Sequence, residues 1–546
     1  MITHRALFFF WMAVSLWALS CCSSPAKAAK PNDIWKGWRE RQRAELATLP
    51  QPPVPPRGEG SVVDRFLAAR WVRLKATPPA AVDDRTFARR AYLDVIGLPP
   101  TVEQLQHFEQ DKSADKRQKL VDALLGDRVG YAEHWMSFWN DLLRNDEQTN
   151  IDGLRKPITP WLYSSLRDNK PLDLFVAELL NPGKDGPDGY LKGVNWRGRV
   201  NASQMPPVQA AQNVAQVFLA SSIKCASCHN SFINKWKLKD SYGLASFFAP
   251  QNLEMNRCDK PTGKVIAPKF LFPGMGDVPA NADLDTRHQA AARLVTRPTN
   301  PRFARALVNR LWKRLLGRGL IEPIDDFDGK PVRSDLLNWL AYDFMVHDYD
   351  AKHTLRLILL SRVYQAPVSK DKVRKDQEAR LLGPTERRLA SEQYLDAIAQ
   401  VTGYWPKAEV MHVAIKNPNI RAWRHRKPDA LATALGRPNR EQVCTERDQE
   451  STVLQALELV NGKVLTTRLQ QGAKRLLASE LGRQTDADKV AGTLYLRALG
   501  RPPNAEELTL ARPLLGTPTD KPAQRQEGWE DLLWTLFMSP EFQFVR

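Results

Sequence analysis

Cysteine is scarce in this chain: six thiols in 546 residues, with Cys21 and Cys22 close to the N-terminus. That excludes a small disulfide-stapled scaffold, and a chain of this length buries enough apolar surface to need none. Beyond Leu19 no segment approaches the roughly 18 consecutive apolar residues of a membrane span. A Gly-rich phosphate loop, a nucleophile elbow and a His-Glu-x-x-His helix are all missing, which removes the usual marks of nucleotide binding, α/β-hydrolase chemistry and zinc proteolysis. No run of alternating β-branched residues is long enough for a large sheet. The adjacent carboxylates Asp325 and Asp326 are expected to cap a helix or pair with Arg318, because neighbouring side chains diverge and do not form an acid/base couple. A polysaccharide hydrolase would need convergent carboxylates that the sequence does not place.

What is present begins at the N-terminus. A short basic region (His4, Arg5) precedes the apolar run "ALFFFWMAVSLWAL", and Ala26-Lys27-Ala28 closes the segment with an A-x-A site. Residues 1–28 therefore read as a signal peptide, with a periplasmic or extracellular destination. Lipid anchoring at Cys21 is the alternative, although Ala18-Leu19-Ser20 makes a poor lipobox. The formal net charge of +18 is scattered over the chain. Scattered Lys and Arg form solvated helix faces, so nucleic acid is not an expected partner, while an acidic redox partner or an anionic surface is.

Residues 29–61 read as a charged helix followed by the Pro-rich linker "LPQPPVPPRGEGS". From Val62 to residue 250 apolar residues recur at helical spacing, with stops at Gly97 and Gly126. Residues 251–290 read as an irregular connection in which Pro and Gly break every candidate element. Residues 291–546 form a second helical block. The expected fold is mainly α, two packed helical regions with long irregular connections and no large sheet. Trp71, Trp135, Trp312 and Trp339 lie on apolar helix faces and are assigned to the core, as is His134. One stretch occurs twice: "YLDVIGLPPTVEQL" (Tyr92 to Leu105) and "YLRALGRPPNAEEL" (Tyr495 to Leu508). The shared content is a helix, a glycine stop, two prolines and a capped helix start, which reads as one corner used in two places.

The chemistry-bearing motif is "KCASCHNSFINKW", with Cys225, Cys228 and His229 as Cys-x-x-Cys-His. Composition alone gives this pattern in roughly one such chain in a thousand, and it is the signature of c-type haem attachment. Two thiols three positions apart suit two thioether bonds to one porphyrin, and the following imidazole suits the proximal side of the iron. Two other readings stay open on the residues: disulfides, Cys225–Cys228 with Cys258–Cys444, and a zinc site built from the same four thiols. The preceding "VQAAQNVAQVFLASSIK" reads as helix, which argues against a thioredoxin-like motif.

Together, "VAQVFLASSIKCASCHNSFINKWKLKDSYGLASFFA", "NPRFARALVNRLWKRLLGRGLIEPIDDF", "LLNWLAYDFMVHDYDAKHTLRLILLSRVYQ" and "LLWTLFMSPEFQF" resemble the planctomycete cytochrome-like secreted proteins. These pair an N-terminal domain of unknown function carrying Cys-x-x-Cys-His with a characteristic C-terminal domain of unknown function. The resemblance implies a haem c held by Cys225, Cys228 and His229, serving electron transfer or an oxidoreduction whose substrate it does not name. Where relatives continue as Cys-His-x-His-Pro, this chain has Cys228-His229-Asn230-Ser231-Phe232. Where they show Cys-x-Cys-x-Arg, it has Cys444-Thr445-Glu446-Arg447. If haem is bound, Met275 in the Pro/Gly loop "FPGMGD" is the candidate distal ligand.

Overall fold

The computed structural model describes residues 31–55, 60–147, 157–184, 186–192, 201–328, 335–369, 380–415 and 417–546. The expected signal peptide and the alternative anchor Cys21 lie outside them. The chain divides into two compact units, Met1–Thr48 and Leu49–Arg546. The first contributes one described helix, Pro31–Leu46, and every other described helix and strand belongs to the second.

That second unit is mainly α. Its helices start where side chains can supply the missing acceptors of a first turn. In α1 (Val62–Arg73) the amide of Asp64 donates to Ser61 Oγ, while Asp64 Oδ2 accepts from the Ser61 amide, a reciprocal cap. The doubled stretch forms the same corner in both places. Helix α2 (Asp84–Val95) ends at Gly97, whose φ of +73° only glycine adopts at little cost, and the capping pair Thr101/Gln104 starts α3 (Val102–Gln110). Near the C-terminus, α4 (Ala487–Leu499) ends at Gly500 with φ +76°, and Asn504/Glu507 cap α5 (Ala505–Leu515).

Four further helices matter for the site. The helix Arg128–Leu143 carries Trp135 and His134 into the core, where they are 1% and 4% exposed. Helix Pro206–Leu219 runs up to the Cys-x-x-Cys-His turn. Helix Phe303–Leu316 follows in the second half, and helix Ser391–Thr402 lies in a C-terminal core cluster with Trp529, Phe537 and Phe542. Trp71 and Trp312 are buried as expected, and Trp339 is half-buried against Phe66, with ring centroids 6.2 Å apart.

The two helical regions interlock through arginines. Arg387 forms a two-bonded pair with Asp94 of α2, at 2.8 and 2.9 Å. Arg421 donates to the Ile96 carbonyl at 3.0 Å and to Asp396 at 2.6 Å. Leu93 belongs to the same apolar cluster as the C-terminal helices. Fork-shaped guanidinium groups satisfy several backbone carbonyls at once, so they join helix ends that apolar contact alone would leave unpaired.

The structure corrects one reading of residues 251–290. An antiparallel hairpin, β1 (Leu253–Arg257) and β2 (Lys260–Ile266), occupies part of that connection, and a helix begins at Leu284. The hairpin is short and bulged, and Pro261 and Gly263 sit in its second strand. Its signal was therefore carried by cross-strand pairing, which local periodicity does not record. A second two-stranded pair, Arg387–Arg388 with Phe544–Val545, fastens the C-terminus.

Candidate functional site

The Cys-x-x-Cys-His turn follows a left-handed residue, Ala220, which ends the helix Pro206–Leu219. Cys225 to Ser227 form one turn of 3-10 helix, with the amides of Cys228 and His229 both donating to the Cys225 carbonyl, at 3.2 and 3.3 Å. Its inner residues anchor it: Ala226 and Ser227 are fully buried, and the Ser227 hydroxyl meets Ser241 at 2.8 Å and the Ile223 carbonyl at 3.1 Å. Its outer residues are the candidate ligands. Cys225 is exposed, Cys228 and His229 are half-buried, and both thiols are free.

The imidazole of His229 is oriented by its own loop. Its Nδ1 lies 2.8 Å from the Asn230 carbonyl oxygen, to which it donates, and Nε2 makes no hydrogen bond among the described residues. Asn230 is held in turn, because its Oδ1 accepts from the Leu238 amide at 3.0 Å. The loop is pinned at its base by Trp236 Nε1 on Asp328 at 2.8 Å and by Asn234 on the Ser222 carbonyl at 2.8 Å. At its tip, Phe232 and Ile233 stand 89% and 76% exposed, and the Phe232 ring lies 4.7 Å from that of His229.

Met275 is buried, 7% exposed, and its carbonyl accepts from Arg297 at 2.6 Å. Its loop reaches the motif loop through Phe272 on Trp236, with centroids 6.1 Å apart. The structure thus brings the two loops together through aromatic rings.

The other two thiols separate. The amide of Cys258, in the hairpin turn, donates to the Cys228 carbonyl at 2.8 Å, so this cysteine neighbours the motif. Cys444 instead packs beside Asp141 and Arg447, where burial pushes its thiol up to about 11. All four are free thiols in this structure, joined in neither of the pairings left open by the sequence. Among the described residues the four thiols are not gathered as a metal set. The group that is gathered is Asp343, His347 and His353, with ligand atoms within 4.8 Å of one another, His353 Nε2 2.8 Å from Asp343 and the imidazoles stacked at 3.7 Å. Their spacing across a helix end gave no recognisable motif in the sequence.

Asp325 is also corrected. Its partner is Arg310, at 2.7 Å, and it further accepts from Gln216 and from the Thr445 hydroxyl at 2.8 and 2.5 Å. Arg310 reaches it because its helix packs against the end of Pro206–Leu219, where its guanidinium also takes the Val217 carbonyl at 3.0 Å. Asp326 accepts from the Asp328 amide at 2.9 Å.

Beside this pair opens a pocket of about 180 Å³ that sequence reading did not find. Arg310, Lys313, Arg314, Arg388 and Arg447 line it, together with Phe138 of the helix Arg128–Leu143. Helix-face arginines look like solvated charge in a sequence, and only the packing of two distant segments turns them inward.

A mainly α-helical protein of two arginine-interlocked regions, with a thiol and imidazole turn exposed on the first, is the class these features define. Residues 62–252 match a protein family of unknown function, DUF1549 (PSCyt2), and residues 287–515 match a second, DUF1553 (PSD1). The chain thus pairs these two domains, in the order implied by the resemblance. No curated protein and no solved structure matches it.

Proposed function

We propose that this is an exported cytochrome-like protein that carries one covalent haem c for electron transfer in a periplasmic or extracellular setting. Cys225 and Cys228 would hold the group by thioether bonds and His229 Nε2 would be its proximal ligand. Bound there, the group supplies reversible one-electron exchange. The chain's own residues do the rest. Ser227 and Ala226 fix the turn, and the Asn230 carbonyl fixes the imidazole tautomer, the kind of second contact that orients a ligating histidine. Phe232 and Ile233 offer apolar surface that water would otherwise cover.

The observation that carries this reading is the state of His229: Nδ1 hydrogen-bonded to a backbone carbonyl, Nε2 open, beside two free thiols. A net charge of +18 favours an acidic electron partner. Among the described residues no helix is long and apolar enough to cross a membrane.

The test is the visible spectrum of the protein exported by a host with c-type haem maturation. Reduced bands that survive acid–acetone extraction, and disappear in Cys225→Ala/Cys228→Ala, are expected. A colourless product overturns the reading. The proximity of Cys258 to Cys228 favours a second one, a structural or redox disulfide, which a colourless protein with two fewer titratable thiols would reveal.

A further inference from the structure

The pocket between the two matched domains holds cationic donors that the protein itself leaves without acceptors. Arg310, with a side chain only 2% exposed, uses Nε and Nη2 on the Val217 and Gln216 carbonyls and on Asp325, while its Nη1 is buried and has no partner. One turn further along the same helix, the guanidinium of Arg314 makes no hydrogen bond or ion pair among the described residues. Burial, with Arg387 adding repulsion, lowers it to about 10, so it is still a cation at neutral pH. The Arg388 guanidinium donates to the neutral groups of Gln455 and Ser451 and lies over the Phe544 ring at 5.3 Å, and its Nε is buried without a hydrogen-bond partner.

Three of the four carboxylates lining the pocket are paired with cations, and the fourth, the exposed Asp448, accepts from the Glu450 amide at 2.8 Å. Asp141 is shared by Arg440 and Arg447, Glu386 is taken by Arg546, and Glu446 by Lys313. A buried guanidinium donor without an acceptor bears its full desolvation cost, and an oxyanion is the group that relieves it, through charge-assisted and often two-bonded contacts. The lining also has an apolar side, with Phe138, Ile324, Leu389 and Leu435, and neutral polar groups on Ser137, Gln393, Thr445 and Gln449. At about 180 Å³ the space is below that of drug-sized sites, so it suits a small molecule.

We propose that this pocket binds a small organic carboxylate, its oxygens accepting from Arg314, Arg310 Nη1 and Arg388 and its apolar body lying against the Phe138 and Leu389 side. The site does not depend on haem. It is built jointly by the two matched domains, since Phe138 comes from the first and the arginines from the second. The loop that closes it also touches the haem-motif turn, through Lys224 Nζ on Gln442 Oε1 at 2.7 Å.

Titration calorimetry of the full exported chain with benzoate, at ionic strength fixed with sodium chloride, tests this. Inorganic sulfate serves as an anion without an apolar body, and benzyl alcohol as a body without charge. Saturable benzoate binding at one site is expected, weakened at least tenfold in Arg314→Gln and unchanged in Arg512→Gln, an exposed residue paired with Asp488. Should Arg314→Gln not fold, Arg388→Gln is read in the same way. Sulfate binding as tightly as benzoate would overturn the organic character of the ligand. No saturable binding, or equal binding by the Arg314 or Arg388 variant, would overturn the site.

Discussion

The amide of Cys258 donates to the carbonyl of Cys228 at 2.8 Å, which fastens the hairpin turn to the Cys-x-x-Cys-His turn. A third cysteine is therefore in backbone contact with the motif, while the fourth, Cys444, sits in the arginine-lined pocket. Thiol reactivity of the haem-free protein should follow that division. Cys225 and Cys258 are exposed and are expected to react with a disulfide reagent first, with Cys228 behind them. Cys444, with its thiol pushed up to about 11 by burial, is expected to react on the order of a hundredfold more slowly at pH 8. Stopped-flow thiol titration of single Cys→Ser variants checks the order.

The two copies of the helix–glycine–Pro-Pro corner should respond very differently to the same substitution. Both glycines are left-handed, so alanine pays about 1–2 kcal/mol in each. At Gly97 the added Cβ would also lie 2.3 Å from Nδ1 of the buried His134, whereas at Gly500 the nearest atom is the Arg89 side chain at 3.5 Å. Gly97→Ala is expected to cost about 3 kcal/mol or more and Gly500→Ala about half that or less, measured by urea denaturation.

That contrast also shows what the sequence made legible. Helix starts and stops at Ser61, Gly97, Thr101, Gly500 and Asn504 follow from local chemistry and are found where the spacing puts them. The hairpin at Leu253–Ile266 and the pairing of Asp325 with Arg310 are not local, since each depends on a partner brought up by tertiary packing. The same holds for the candidate site. Cys225, Cys228 and His229 were readable from a rare spacing, but the Asn230 carbonyl on Nδ1, the approach of Cys258, the Asp343–His347–His353 group and the inward turn of Arg314 were not.

Glu133 sets a measurable pH dependence. It is 4% exposed, and burial raises its carboxyl to about 7 despite Arg421 nearby. Between the ordinary glutamate value and about 7 the folded state holds a proton that the unfolded chain has released, so this group's stabilisation falls as pH rises through that window. From pH 5 to pH 8 the wild type is expected to lose about 2.5 kcal/mol relative to Glu133→Gln. Parallel urea curves of the two proteins across that range give the difference, and a constant gap would contradict the assignment.

Glu392 has the opposite sign. Burial alone would raise it, but Arg447, Arg437 and Arg440 hold it well below the usual carboxylate range. Its contribution is present above the unfolded glutamate value and is lost as pH falls through the folded one. Glu392→Gln removes one of the two carboxylates that Arg447 and Arg440 share in a buried setting, and a loss of about 3–5 kcal/mol is expected. The variant should accordingly also show a smaller loss of stability on acidification than the wild type.

The central claim, that Cys225, Cys228 and His229 hold a covalent haem, is met most directly by the intact mass of the protein purified from a host that matures c-type cytochromes. The expected result is the mature chain plus one haem, with the increment absent from Cys225→Ala/Cys228→Ala and retained in Cys258→Ser. A chain at its unmodified mass, or an increment that persists without Cys225 and Cys228, would contradict it.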